Sequence, residues 1–352
     1  MRSERRRGYT WVELVAIVCV LVFLLALLLP AVQQARSPGR RNTCSNNMRN
    51  LALAVTNYAS ARGVYPGYLN SLLTGPAKFT VPATDEGDAG EARVTWLVCV
   101  LPYLERTDIY NLYRNPGLAR ANGVDPRSVY LNDLVCPAGS GSQQPKPGSP
   151  PPCDYAVNTG RADVAASAGD EEQAGYPADW MANGVFFSHF HDAVQNPADA
   201  PLEWISQEYI STHDGSSMTV MLSERLDAGS YSFPPSSALD VEAAIGFVWW
   251  PSRNKAPFQP PHPSQRINGP PDALPINRAR PSSNHSGFVN VAFCDGHTRS
   301  ISQDIDYGVW CLLMTPDGRH CNDPGKVELE RESSQNNYHF LRYTDVDDSK
   351  VQ

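Results

Sequence analysis

The 352-residue chain is short of charge: Asp, Glu, Lys and Arg make up 19% of it, below the roughly 25% of an average soluble domain. With 41% hydrophobic residues beside that figure, the chain is no disordered polyelectrolyte. It has one long apolar run and no second, which excludes a multi-span membrane protein. A basic excess is missing too. Lys and Arg number 29 against 37 Asp and Glu, a net charge of −8, so no surplus is available to neutralise phosphates and no nucleic-acid partner is expected. There is no Gly-x-Gly-x-x-Gly, P-loop, His-Glu-x-x-His or Gly-x-Ser-x-Gly. Cys-x-x-Cys is absent as well, which leaves neither a thioredoxin-like site nor a zinc ribbon supported. The expectation is a protein that is not an enzyme, with no catalytic residue, cofactor or metal assigned. Proline is plentiful by contrast, 30 residues, and implies long ordered loops.

The first forty residues carry most of the information. The segment before Tyr9 holds four Arg and one Glu. Residues 14–29, LVAIVCVLVFLLALLL, are unbroken apolar sequence, and residues 9–32 form a 24-residue stretch with one charge, Glu13. As a helix that stretch is about 36 Å long, enough for a hydrocarbon core of roughly 30 Å. An ordinary signal peptide ends in small residues, whereas this run ends LLLPAVQQAR, so the plain alternative is an uncleaved signal anchor. A carboxylate within such a helix is costly and points to a partner or a function. Glu13 lies four residues after Tyr9. Cleavage between Gly8 and Tyr9 would place the new α-amine one helical turn from Glu13, within one chain or between packed neighbours.

The segment RRRGYTWVELVAIVCVLVFLLALLLP resembles the prepilin-type N-terminus of type IV pilins and type II secretion pseudopilins. The resemblance implies cleavage after Gly8 by a prepilin peptidase and N-methylation of Tyr9. It also implies subunit registration by Glu13 and a helix kink at Pro30. Tyr9 and Trp11 depart from the Phe and Leu usual in that family. Further along, CSNNMRNLALAVTNYASARGVYPG, WLVCVLPYLERTDIYNLY, DYAVNTG, HDGSSMTVMLSER and NHSGFVNVAFCDGHTRSI occur in order. They resemble a bacterial family that joins such an N-terminus to a domain of unknown function with a C-terminal His-x9-Asp-Gly signature. Here the signature is His285, Asp295 and Gly296.

After the apolar run, Met48, Leu51, Val55 and Tyr58 mark one helical face, and Ser37-Pro38-Gly39 predicts a break or kink ahead of it. Short helices are expected around residues 94–104 and 108–113. Strands are expected at 154–158, 184–188, 218–222, 246–250, 288–293 and 298–301, and a last helix at 307–314. Residues 136–152 and 251–281, the latter with nine Pro, read as loops. Four segments follow: a leader at 1–8, a transmembrane pilin-like helix at 9–36, an extracytoplasmic α+β domain at 40–322 and a polar tail at 323–352. The expected fold is α+β, a long N-terminal transmembrane helix packed on an antiparallel sheet with Pro-rich loops.

Each candidate site has a plain structural explanation beside the functional one. Asp295-Gly296 reads as the turn of a β-hairpin, with His285 just before its first strand, holding the preceding loop. His189 and His191 alternate on a strand beside Asp192, a pair that could ligate a metal or simply rim a loop. His213-Asp214-Gly215 reads as a turn. Glu224 has no identifiable partner and reads as a surface or salt-bridge group. Seven Cys lie outside the apolar run, which contains Cys19. Cys136 with Cys153 and Cys311 with Cys321 would close short loops, whereas Cys44 with Cys136 would tie the helix to the domain.

Two functions are carried forward. The first is a pilin-like, pseudopilin-class structural subunit of a type IV pilus or type II secretion-like system. Its partners would be prepilin peptidase, other pilin-like subunits and the membrane. It would reside in the cytoplasmic (inner) membrane as a single-pass protein, its domain in the periplasm or on the cell surface. The alternative is a membrane-anchored extracytoplasmic module binding a glycan or metal, which uses the leader only for export.

Overall fold

Apolar residues recurring every three or four positions give the chain its longest element. In the computed structural model, helix α1 runs from Trp11 to Arg62, 52 residues. The structure describes residues 11–71, 93–115, 118, 122–123, 125–139, 151–162, 180–189, 202–226, 228–230, 244–250, 260 and 262–321, without the side chains of 25–37, 71 and 93. The C-terminal half of α1 is the spine of the domain. Cys44, Met48, Leu51, Ala52 and Val55 are wholly buried on one face, and Tyr58 packs partly buried beside them.

The elements that follow are β1 (Leu69–Ser71), β2 (Arg93–Thr95), α2 (Trp96–Val100), α3 (Thr107–Arg114), β3 (Tyr155–Arg161), β4 (Ser188–His189) and α4 (Gln207–Thr212). β5 (Val220–Glu224), β6 (Gly246–Trp249), β7 (Phe288–Phe293), β8 (Thr298–Ser302) and α5 (Tyr307–Met314) complete the order. A five-stranded sheet has the order β6-β3-β5-β7-β8, and a three-stranded one β2-β1-β4. Period-two alternation sorts the larger sheet into two faces. Tyr155, Val157, Met221 and Ala292 join the core under α1. Ala156, Val220, Val289, Val291 and Phe293 point the other way, against α5. All eight residues of α5 are buried, and Asp306 caps it by accepting from the backbone N–H groups of Gly308 and Val309.

Three expectations need correction. The antiparallel sheet is mixed, because β3 pairs parallel with β6 and β1 parallel with β4. The transmembrane helix at 9–36 is overturned: among the described residues no helix is long and apolar enough to cross a membrane. Finally, Ser37-Pro38-Gly39 does not interrupt α1. One proline removes a single backbone donor at a cost of about 3 kcal/mol, which the buried face from Cys44 onward offsets.

Candidate functional site

β5 runs apolar into the sheet and then places a carboxylate at its end. Glu224 is 1% exposed and sits opposite Tyr155 of β3. A buried carboxylate needs donors, and two elements supply them. From β7, Asn290 donates its backbone N–H to Glu224 Oε2 at 3.0 Å and its Nδ2 to Oε1 at 3.0 Å. From the loop before β7, His285 Nε2 lies 3.2 Å from Oε1. Facing a carboxylate oxygen, Nε2 is the ring nitrogen that carries the proton. The loop itself is locked: His285 N–H donates to Ser283 Oγ, which donates to the Phe288 carbonyl. His285 also stacks on the Phe288 ring, and Arg41 of α1 covers that ring at 4.0 Å from its centroid. Arg41 donates to Ser300 Oγ, and Ser300 donates to Asn290 Oδ1, so a hydrogen-bonded relay joins a cation of α1 to Glu224.

A disulfide closes the same cluster. Cys44 of α1 and Cys136 are bridged, 92 residues apart in sequence with Cα atoms 5.0 Å apart. Cys136 Sγ is 3.7 Å from Glu224 Oε1 and 3.8 Å from His285 Nε2. Cys136 N–H donates to Asp154 Oδ2 at 2.9 Å. Burial pushes the Asp154 carboxyl up to about 6, eased by the Cys136 N–H and reinforced by the negative charge of Glu224. A side chain at Gly139 would run into that carboxylate, so the turn after Cys136 takes glycine.

The other candidates fall elsewhere. Asp295 and Gly296 form the β7–β8 turn, with Gly296 at φ 88° and Asp295 Oδ1 2.6 Å from His297 Nδ1. His189 lies in the smaller sheet, stacked on Trp204 at 3.7 Å, and burial pushes its pKa down to about 4, so it packs as a neutral ring. His191 and Asp192 lie outside the described residues. His213 and His320 both approach the buried Asp317, and Asp214 Oδ2 accepts from Gly318 N–H, which stitches the end of α5 to the turn after α4. Cys153 donates to the Tyr155 carbonyl and burial holds its thiol at about 12. Cys311 and Cys321 are buried thiols. Glu13 stands in the first turn of α1 and Pro30 within the helix, while Gly8 and Tyr9 lie outside the described residues, as does the tail at 323–352.

Glu224 is the main correction to the site: of the two readings, surface or salt-bridge group, the first is overturned, because it is buried and pairs with His285. The signal in sequence was a carboxylate ending the apolar strand Val-Met-Leu-Ser-Glu, yet His285, 61 residues away, could not be identified as its partner. Of the three cysteine pairings, the one joining helix to domain is formed.

A family model described as "Protein of unknown function (DUF1559)" matches residues 33–308, which include the whole cluster. No curated protein and no solved structure matches the chain.

Proposed function

The chain belongs to the DUF1559 family, and from that premise we propose that it is a pilin-like assembly subunit. One observation carries the reading: α1 is a single helix whose two ends have different surroundings. From Cys44 onward one face of the helix is buried in the domain. The half from Trp11 to Leu24 is exposed, with Trp11 at 78%, Val12 at 74% and Phe23 at 64%. Soluble monomers rarely leave an apolar surface of this extent uncovered. The same half of α1 in neighbouring subunits is the partner that covers it in this reading, ridge against groove along the helices.

The remaining steps follow the prepilin-type pattern. Prepilin peptidase cuts after Gly8 and Tyr9 receives the N-methyl group. Glu13 then neutralises a neighbour's terminal amine and sets the stagger between subunits. The domain stands outside the cytoplasm at the inner membrane, a placement supported by the Cys44–Cys136 bridge, since disulfides persist in oxidising compartments.

The test is Glu13→Ala in the full-length protein expressed in its native host. Material that sediments as high-mass assemblies should fall to a small fraction of wild type while N-terminal processing continues. Equal assembly by the variant would remove Glu13 from subunit registration and favour an anchored binding module.

A further inference from the structure

We propose that the reduced protein binds one borderline-soft divalent cation of the zinc type through Cys44 Sγ, Cys136 Sγ, His285 Nε2 and Glu224 Oε1. This goes beyond the assembly reading and stands or falls separately from it. The four ligand atoms come from α1, the segment before Gly139, the loop before β7 and the end of β5, and all lie within 4.8 Å of one another. The residues are 0%, 2%, 8% and 1% exposed, so the site is closed to bulk water.

The three distances among Cys136 Sγ, His285 Nε2 and Glu224 Oε1 match one face of a tetrahedron. With Zn–N and Zn–O near 2.0 Å and Zn–S near 2.3 Å, tetrahedral edges are about 3.3 Å for N to O and about 3.5 Å for S to N or O. The observed separations are 3.2 Å from His285 Nε2 to Glu224 Oε1, 3.7 Å from Cys136 Sγ to Oε1 and 3.8 Å from Cys136 Sγ to Nε2. Only the two sulfurs stand too close, because they are bonded. Breaking that bond lets them part toward a sulfur–sulfur edge of about 3.8 Å. The surroundings already orient the ligands: Asn290 holds both oxygens of Glu224, and the Ser283 hydroxyl fixes the loop that carries His285.

The chemistry balances with a phosphine as reductant. Phosphine and water convert the disulfide to two thiols and a phosphine oxide. The two thiols then release two protons to solvent as the cation takes both thiolates, and neutral His285 carries its proton on Nδ1 instead of Nε2. In the disulfide form both sulfurs are bonded to each other and neither is available as a thiolate ligand, so the site is absent. One cluster therefore has two exclusive occupancies, a sulfur–sulfur bond or a metal ion.

The test is Co²⁺ titration of the full-length protein, phosphine-reduced and oxidised, followed by absorbance and by circular dichroism as a check on folding. The reduced protein should take one Co²⁺ per chain, with thiolate charge-transfer bands and the intense d–d bands of a tetrahedral site, and Zn²⁺ should displace it. The oxidised protein should show neither band. Cys44→Ser should abolish the charge-transfer signature of a two-thiolate site, and Asn290→Ala should weaken binding by roughly 10-fold or more through loss of ligand orientation. Should a ligand variant fail to fold, X-ray absorption on the zinc-loaded wild type decides, with two sulfur and two nitrogen or oxygen scatterers expected. A folded, reduced protein that takes no Co²⁺, or whose spectrum is unchanged by Cys44→Ser, would overturn the proposal.

Discussion

At the scale of single residues, the cluster around Glu224 carries the sharpest consequences. Removing its carboxylate by Glu224→Ala leaves the Asn290 backbone N–H and the His285 Nε2–H without their acceptor in a dry interior. Unfolding in denaturant should show a loss of about 2–4 kcal/mol. Asp154 gives a pH signature. Its carboxyl titrates at about 6 in the folded protein against an ordinary 3.8. The neutral acid is thus favoured by folding, so its contribution is fully present below about pH 4 and is lost as pH rises through 6. Asp214, also raised to about 6 by burial, adds a slope of the same sign. Denaturation midpoints measured from pH 4 to 7 should fall for wild type, and Asp154→Asn should remove about half of that fall, on the order of 1–3 kcal/mol. A variant as pH-dependent as wild type would show that Asp154 is ionised without cost. Little of this was legible in the sequence. His285 stood out through its spacing to Asp295-Gly296, but the residue it meets lies on a strand 61 positions away, and register across a sheet is not written locally.

At the scale of elements, legibility follows periodicity. The stripe Met48, Leu51, Val55 and Tyr58 lies on the face of α1 that packs into the core, and the last helix and the β7–β8 hairpin fall where alternation and the Asp-Gly turn put them. The three-residue strands β1 and β2 escaped because so short a segment contains no repeat to read. Residues 184–188 read as a strand, yet only Ser188 and His189 pair, while Phe186 and Phe187 are buried in the core. There the apolar character reports burial, not sheet. The continuity of α1 through Pro38-Gly39 is the element-level surprise, and it makes a prediction. Nothing lies within 4 Å of where a Cβ on Gly39 would stand. Gly39→Ala should therefore stabilise the helix by about 0.5–1 kcal/mol, visible as a higher denaturation midpoint.

At the scale of the whole molecule, α1 is shared between two tasks, core of the domain at one end and uncovered apolar rod at the other. The Cys44–Cys136 bridge fixes the rod to the domain and closes a loop of 92 residues. Chain entropy alone gives such a bridge about 4–5 kcal/mol, so Cys44→Ser should lower stability by that order in an oxidising buffer and change little in a reducing, metal-free one. Which cysteines would pair was open from the sequence, because proximity along the chain favoured short loops while the fold brings the helix against the Cys136 segment. The assembly reading rests on the rod, and the most direct measurement is intact mass spectrometry of the native protein, alongside Gly8→Ala. A chain beginning at N-methylated Tyr9, lost in the variant, is the predicted result. A native chain that still begins at Met1 would contradict it.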